Sequence, residues 1–381
     1  MRSRLRVVHV YKSYPPMRGG IEGHIDLLTR LLVDRGIHAE VLCARMPGSM
    51  AREERHGVHV QRCTTLLTLA STPMPLTLPA ALRRSNAHLV HLHFPWPPGE
   101  VAWLLGGRRR PLVVTIHCEV VRQARLARLL APLTQMVLAA AGRILVTGAS
   151  FRDAPFLAAH RERVEVVPLG VDLNRFRPNP TVRDAFPQIA RPRIVFVGRL
   201  RHYKGLPLLA AALARLPQAQ LVVVGDGPER GNFEQALRAL GCRDRAHLLG
   251  DLDDDRLVRL LQTADAAVLA STSRAEAFGV AIAEAQACGV PAVTTEVGTG
   301  TAQTVADGVS GRVVAPNDHA ALVAGLAWCL DPVSAPARRA AARAHAEGKL
   351  DARRMTDAVV QVYESLSLPP GYAAAKASQV G

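Results

Sequence analysis

The stretch Glu276-Ala-Phe-Gly-Val-Ala-Ile-Ala-Glu284 sets two carboxylates at the ends of a Phe-Gly step and an apolar helical run. A helix beginning near Gly279 leaves Glu276 in the preceding loop and Glu284 on the second turn. The unpaired N–H groups of the helix start then lie between two acids, so an anion meets backbone donors and hydroxyl groups meet carboxylates. One acid is placed for a sugar and the other for a ribose. Alone, the same residues also read as a surface helix with one capping acid and one solvated glutamate. Short apolar runs flank the stretch, Ala267–Leu269 before it and Ala292–Thr294 after it. Strand, loop, helix and strand in that order make the crossover unit of a parallel sheet.

The same alternation extends outward in both directions. In the first half, strands are predicted at Arg6–Val10, Ala39–Cys43, Val58–Arg62, Leu89–His93, Val113–His117, Ile144–Val146 and Val164–Val167, with helices between them. In the second half they are predicted at Ile194–Val197, Leu221–Val224, His247–Leu249, Ala267–Leu269, Ala292–Thr294 and Arg312–Val314. A length of 381 residues exceeds one ordinary core, and 49% apolar residues supply two. The expected architecture is α/β, with two doubly wound Rossmann-like domains. Residues 1–175 form the first domain and residues 193–350 the second, joined by a linker at 176–192 within the proline-rich stretch from Pro168 to Pro192. A C-terminal helix over 351–367 is expected to pack back towards the first domain, and residues 368–381, lacking periodicity, to be disordered.

Charge separates the halves. Residues 1–180 hold 25 Lys and Arg against 12 Asp and Glu, a net +13, which leaves +2 of the formal +15 for the remainder. A basic face attracts nucleic acid or anionic lipid. Aromatic content of 4% offers few stacking platforms, and no nucleic-acid-binding motif occurs, so no nucleic-acid partner is expected. Arg122, Arg125 and Arg128 recur on one helical face opposite Leu126, Leu129, Leu130 and Leu133, a pattern of an interfacial helix on an anionic membrane surface or of a solvated face on a core helix. The apolar part of the N-terminus is too short for a secretion signal, and Leu129–Gly142 falls short of a membrane span. Six scattered cysteines without metal-ligand spacing indicate a reducing compartment. A cytoplasmic protein, peripheral on the inner face of the cytoplasmic membrane, is expected.

Ligands of doubly wound sheets bind at strand-to-helix loops. Tyr11 to Glu22 is one such loop, ending in Gly19-Gly20 before a helix, where backbone can approach a phosphate. Val197-Gly-Arg-Leu-Arg-His-Tyr-Lys-Gly205 is another, and Lys204 is one of only four lysines. Arg199 and Lys204 can clamp a pyrophosphate; a solvated turn is the rival reading. Asp253-Asp-Asp255 reads as a capping cluster at a helix start, or as a carboxylate for base recognition. His91 and His93 share one side of a strand, but no third ligand at suitable spacing accompanies them, so structural and acceptor-lining roles are assigned and no metal is expected.

In this order, Gly19-Gly-Ile-Glu22, Val197-Gly-Arg-Leu200 with Lys204-Gly205, Val223-Val-Gly-Asp-Gly-Pro228, Glu276-Ala-Phe-Gly279 and Glu284-Ala-Gln-Ala-Cys-Gly-Val-Pro291 resemble the motifs of family 4 retaining glycosyltransferases of GT-B fold. The resemblance spans nearly the whole chain. His91-Leu-His-Phe-Pro-Trp-Pro97, His117-Cys-Glu-Val-Val-Arg-Gln123 and Thr295-Glu-Val-Gly-Thr-Gly-Thr301 resemble the bacterial mannosyltransferases of polysaccharide and O-antigen assembly. Where such members often carry His-Ser-Asp, this chain has His117-Cys118-Glu119.

The resemblance implies two domains facing across a cleft, the first for the acceptor and the second for a nucleotide-sugar donor. Arg199 and Lys204 would stabilise the departing diphosphate with no metal or other cofactor, assisted by backbone at Gly20 and Gly198. Glu276 would hold the donor sugar beside backbone of Ala277, Phe278 and Gly279, and Glu284 the ribose. Leu252 and Asp254 would line the base pocket, where a carboxylate favours GDP over UDP. His117 would stand near the sugar and the attacking hydroxyl, with His93 and Glu119 towards a lipid-linked saccharide acceptor. The implied reaction transfers a hexose, mannose from GDP-mannose, with retention. Alternatives are a UDP-hexose donor, a nucleotide-sugar epimerase, or a non-catalytic binding member.

Overall fold

The computed structural model describes residues 5–17, 19–69, 72–118 and 124–367, the side chains of 69, 124–127 and 367 excepted. The chain divides into two compact units, one of residues up to Val167 and again from Arg353, the other Pro168–Ala352.

The first unit holds strands β1 (Arg6–Val10), β2 (His38–Ala44), β3 (Arg52–Arg55), β4 (Val58–Cys63), β5 (Thr65–Leu69), β6 (Thr72–Pro75), β7 (Leu89–Phe94), β8 (Leu112–Ile116), β9 (Arg143–Val146) and β10 (Val164–Val166). Eight of them form one sheet in the order β10-β9-β8-β7-β1-β2-β4-β3. Every pair in it is parallel except β3 with β4. β3 was not expected, because Arg-Glu-Glu-Arg carries no apolar run. It is an edge strand, held by a two-residue turn in which His56 and Gly57 both have positive φ, 51° and 75°, and its charges suit an edge exposed to water. β5 and β6 form a separate antiparallel hairpin that was likewise not expected, with Leu66, Leu67 and Leu76 exposed.

The second unit holds β11 (Arg193–Val197), β12 (Gln220–Val224), β13 (Ala246–Gly250), β14 (Ala266–Leu269), β15 (Ala292–Thr295) and β16 (Gly311–Val314), all parallel, in the order β13-β12-β11-β14-β15-β16. Numbered within the unit this is 3-2-1-4-5-6, the doubly wound order of dinucleotide-binding folds. The order reverses between β11 and β14, so the loops leaving those two strands open side by side.

The proline-rich stretch is not a free linker. Phe176, Phe186 and Ile189 are buried in the core of the second unit. Arg193, 2% exposed, donates to the carbonyls of Ile189 and Phe186 at 2.9 Å each and pairs with Asp184 at 2.7 Å. Apolar anchors at irregular spacing satisfied the core without producing a periodic signal. From Arg353 the chain belongs to the first unit, where Tyr363 is fully buried. Residues 368–381 lie outside the described residues.

Candidate functional site

The loop after β11 runs through Gly198 and Arg199 into a short 3-10 turn, His202–Lys204, and a helix, Leu206–Ala214. Gly205 joins turn to helix at φ 66°, where a Cβ would lie 1.9 Å from the carbonyl oxygen of Ala270 at the end of β14. Only glycine allows this approach, and it brings the two switch-point loops together. Thr272 N–H then donates to the Tyr203 carbonyl at 2.8 Å. As a result Lys204 Nζ meets Glu276 Oε2 at 2.5 Å, with both residues below 10% exposed. Ser271 Oγ donates to the same carboxylate oxygen at 2.9 Å. Glu276 Oε1 receives no hydrogen bond from a described residue, and a lysine ammonium has two further protons to give. Burial disfavours the Lys204 ammonium, but Glu276, and to a smaller degree Tyr203, outweigh it and raise the pKa above its ordinary value. The pair thus offers an anion-binding group and a hydroxyl-binding group locked at one point.

The backbone of the Glu276 loop is held from behind. Thr299 Oγ1 donates to the Glu276 carbonyl at 2.7 Å, and Gly300 N–H to the Ala277 carbonyl at 3.0 Å. Phe278 is buried as an anchor, and Gly279 takes φ 84° at the cap of the helix Val280–Ala287, whose start no side chain caps. Its first N–H groups therefore remain donors for a ligand. Glu284, on the second turn of this helix, is pushed by burial up to about 7; Arg175 works against the shift and Asp254 with it. Asp253 caps the helix Asp254–Thr263 by accepting from Arg256 N–H at 2.8 Å, as the acidic run suggested. Asp254 is exposed and pairs with Arg175 at 3.0 Å, and Leu252 is buried beside it in sequence. Arg199 is exposed in the loop that carries Lys204.

In the first unit, Gly19 and Gly20 open the helix Gly20–Asp34, again without a side-chain cap. Five buried histidines collect at the C-terminal ends of the central strands and on this helix: His9, His24, His91, His93 and His117. Register explains the core of the group, since His9 on β1 pairs His91 on β7. His93 Nε2 lies 3.1 Å from His9 Nδ1, and His93 Nδ1 lies 3.0 Å from His117 Nε2. His91 is used on both sides, by the Tyr363 hydroxyl and by Thr115 Oγ1 at 2.6 Å each. The sequence offers no third ligand at suitable spacing to His91 and His93, but the fold brings three further histidines beside them. These companions come from neighbouring strands and a helix, which spacing along one strand cannot reveal.

Glu119 and Arg122 lie outside the described residues, as does the side chain of Arg125. Arg128 is exposed in the helix Ala124–Ala140, next to Leu129 at 75% exposure. Among the described residues no single helix is long and apolar enough to cross a membrane.

Residues 18–175 match the family described as Glycosyltransferase Family 4, and residues 185–345 the one described as Glycosyl transferases group 1. The chain is 34% identical to D-rhamnosyltransferase WbpZ of Pseudomonas aeruginosa over 85% of its own length and 86% of the relative's. It is 31% identical to O-antigen chain mannosyltransferase C of Escherichia coli, covering 95% and 99% respectively. The chain belongs to family 4 of the glycosyltransferases. The solved structure of Anabaena Alr3699/HepE with UDP and glucose superposes with a TM-score of 0.79 at 22% identity, over 95% of this chain and all of that one. Sucrose-phosphate synthase of Thermosynechococcus elongatus gives the same TM-score and identity over 99% of its length. The GT-B fold and enzymatic identity as a glycosyltransferase follow. Within this family frame, the residue of the donor site that sequence reasoning left out is Ser271, as His9 and His24 were left out of the histidine group. Ser271 is fully buried and bound to Glu276, and its only sequence signal was a hydroxyl shortly after a strand end.

Proposed function

We propose that this glycosyltransferase moves mannose from GDP-mannose, with retention, to a lipid-linked saccharide in the synthesis of a cell-surface polysaccharide. The observation that carries the reading is the buried Lys204–Glu276 pair at the switch point of the second unit. Lys204 and the exposed Arg199 supply positive charge to the diphosphate, so no metal is needed there. Glu276 Oε1 and the uncapped helix start receive the sugar hydroxyls, Gly20 and Gly198 offer backbone to the donor, and Glu284 takes the ribose. In the reaction the bond from sugar C1 to the diphosphate oxygen breaks and a bond from C1 to the acceptor oxygen forms on the same face. The acceptor's proton passes to the departing diphosphate. Leu252 and Asp254 are assigned to the base, and His93 and His117 to the acceptor and the reacting sugar. The mannosyl and polysaccharide parts are supported by the name of the Escherichia coli relative, of which the chain covers 99%, whereas the name of the Pseudomonas aeruginosa relative, covered at 86%, gives a rhamnosyl transfer.

A thermal-shift series with GDP, UDP, ADP and their sugar conjugates tests the donor, because a ligand bound only by the folded state raises its apparent stability. A selective rise with GDP and GDP-mannose is expected. A selective rise with UDP would overturn the donor, and no rise with any nucleotide would overturn the transferase reading. Change of the donor without an acceptor would indicate an epimerase.

Glu284 makes nucleotide binding proton-linked. Burial raises its pKa from 4.5 to about 7, so between those values the folded protein holds a proton there that an unfolded chain would release. Ribose hydroxyls donate to the ionised form and favour it. Calorimetry at pH about 6 in buffers of different ionisation enthalpy should show proton release on GDP binding, absent in Glu284→Gln. Equal enthalpies in both buffers would remove Glu284 from the ribose.

The membrane surface is assigned to the basic face of the first unit, placing the enzyme as a peripheral protein on the cytoplasmic side. Replacing Arg122, Arg125 and Arg128 together by Gln should reduce sedimentation with anionic vesicles more than tenfold, at about 1 kcal/mol per charge near the surface. Equal sedimentation would place the membrane contact elsewhere.

A further inference from the structure

The histidine group of the first unit has a geometry with a use beyond the acceptor and sugar contacts assigned to His93 and His117. Two overlapping triads each bring one nitrogen per ring to within 4.8 Å of the others: His9, His91 and His93, and His24, His93 and His117. The first triad would have to displace Tyr363 or Thr115 from His91, whose nitrogens both bond to groups outside the triad. The second displaces only a bond between two of its own members, His93 and His117. His93 Nδ1 and His117 Nε2 face each other at 3.0 Å, close to the ~3.3 Å edge of a tetrahedron with metal–nitrogen bonds of about 2.0–2.1 Å. His24 Nδ1 is buried without a hydrogen-bond partner, an orphan that calls for an explanation.

We propose that His24, His93 and His117 form a binding site for one divalent transition cation of the zinc class. The ion sits between His93 Nδ1 and His117 Nε2, the proton between them moving to His117 Nδ1, which is buried without a hydrogen-bond partner, and His24 closes the third position from the helix Gly20–Asp34. His9 stands behind the site. Its Nδ1 is 3.1 Å from His93 Nε2, so it accepts the N–H on the far side of the ligating ring and fixes that ring's tautomer, the role an outer partner plays for a metal-bound histidine. Imidazole nitrogens without carboxylate or carbonyl oxygens select zinc, copper, nickel or cobalt over magnesium and calcium. Three neutral ligands leave one tetrahedral position open. The bound ion would tie the helix that carries Gly20 to the ends of β7 and β8. This inference does not rest on the donor assignment, since its readouts are binding and spectra, not transfer.

The test uses full-length, untagged protein stripped with a chelator and titrated with Co²⁺ and Zn²⁺. One equivalent of Co²⁺ should give the intense visible absorption of a tetrahedral site, be displaced by Zn²⁺, and raise the thermal midpoint. His24→Gln, confirmed folded by circular dichroism, should lose that absorption and the rise. His24→Cys should keep the ion and add a thiolate-to-cobalt charge-transfer band in the near ultraviolet, which a purely structural histidine would not produce. His59→Gln, at the exposed stack with His38, should bind as the unaltered protein does. The proposal is overturned by absence of cobalt absorption in the unaltered protein. Retention in His24→Gln, a missing charge-transfer band in His24→Cys, or loss in His59→Gln would overturn it equally.

Discussion

Glu276→Gln should lower kcat by about 10²–10³-fold, the scale of losing one preorganised electrostatic contact, while GDP affinity changes little. The structure makes this substitution specific. Glutamine keeps the shape of the side chain and an oxygen that accepts from Lys204 and Ser271, which now approach Glu276 Oε2 at 2.5 and 2.9 Å. What it removes is the negative charge and the second acceptor oxygen, the one left for a sugar hydroxyl. If Glu276 positions the sugar as charge develops at C1, the loss falls on turnover and not on binding of the sugar-free nucleotide. Steady-state kinetics with GDP-mannose, paired with calorimetry for GDP, separate the two. An unchanged kcat would remove Glu276 from the sugar. A parallel loss of GDP affinity would mean that its work is to hold Lys204 against the diphosphate.

That second outcome comes into view only with the fold. The loop motifs around Lys204 and Glu276 were each legible, since both follow apolar strand runs and carry glycines where a helix begins. Their meeting was not, because 72 positions separate them and the contact depends on β11 and β14 being neighbours in the sheet. The sequence therefore assigned one to phosphate and the other to sugar, and the structure adds that each is the other's counter-ion. The histidine group has the same cause: His9, His91 and His117 occupy three different segments whose adjacency is a property of sheet order. Buried parallel strands were readable nearly to the residue, because they are continuous apolar runs. Edge strand β3 was not, because its four charged side chains leave no such run, and β6 was not, because two of its four residues are proline. The segment 176–192 misled for the opposite reason, as its prolines resemble a linker while Phe176, Phe186 and Ile189 serve a core.

Removing one member of the Lys204–Glu276 pair should destabilise the protein more than removing both. Lys204→Met leaves the Glu276 carboxylate with side-chain exposure of only 10% and no counter-ion, a situation that typically costs about 3–5 kcal/mol. Lys204→Met combined with Glu276→Leu removes the stranded charge and should recover much of that loss, so the two substitutions will be far from additive. Both variants should be inactive, which makes unfolding midpoints the informative readout. The pair also predicts a pH dependence with a definite sign. Its interaction raises the Lys204 pKa above the ordinary 10.5, so the folded state holds the proton more tightly than the unfolded chain. That stabilisation is fully present below about 10.5 and is lost as pH rises through the folded value. The unaltered protein should therefore show a steeper alkaline fall in thermal midpoint than Lys204→Met, the buried Tyr11, Tyr14 and Tyr363 adding a fall common to both. Additive midpoints in the double variant, or the same alkaline fall without Lys204, would show that the pair contributes nothing to the fold. The lysine would then be held in place by the loop geometry at Gly205 alone.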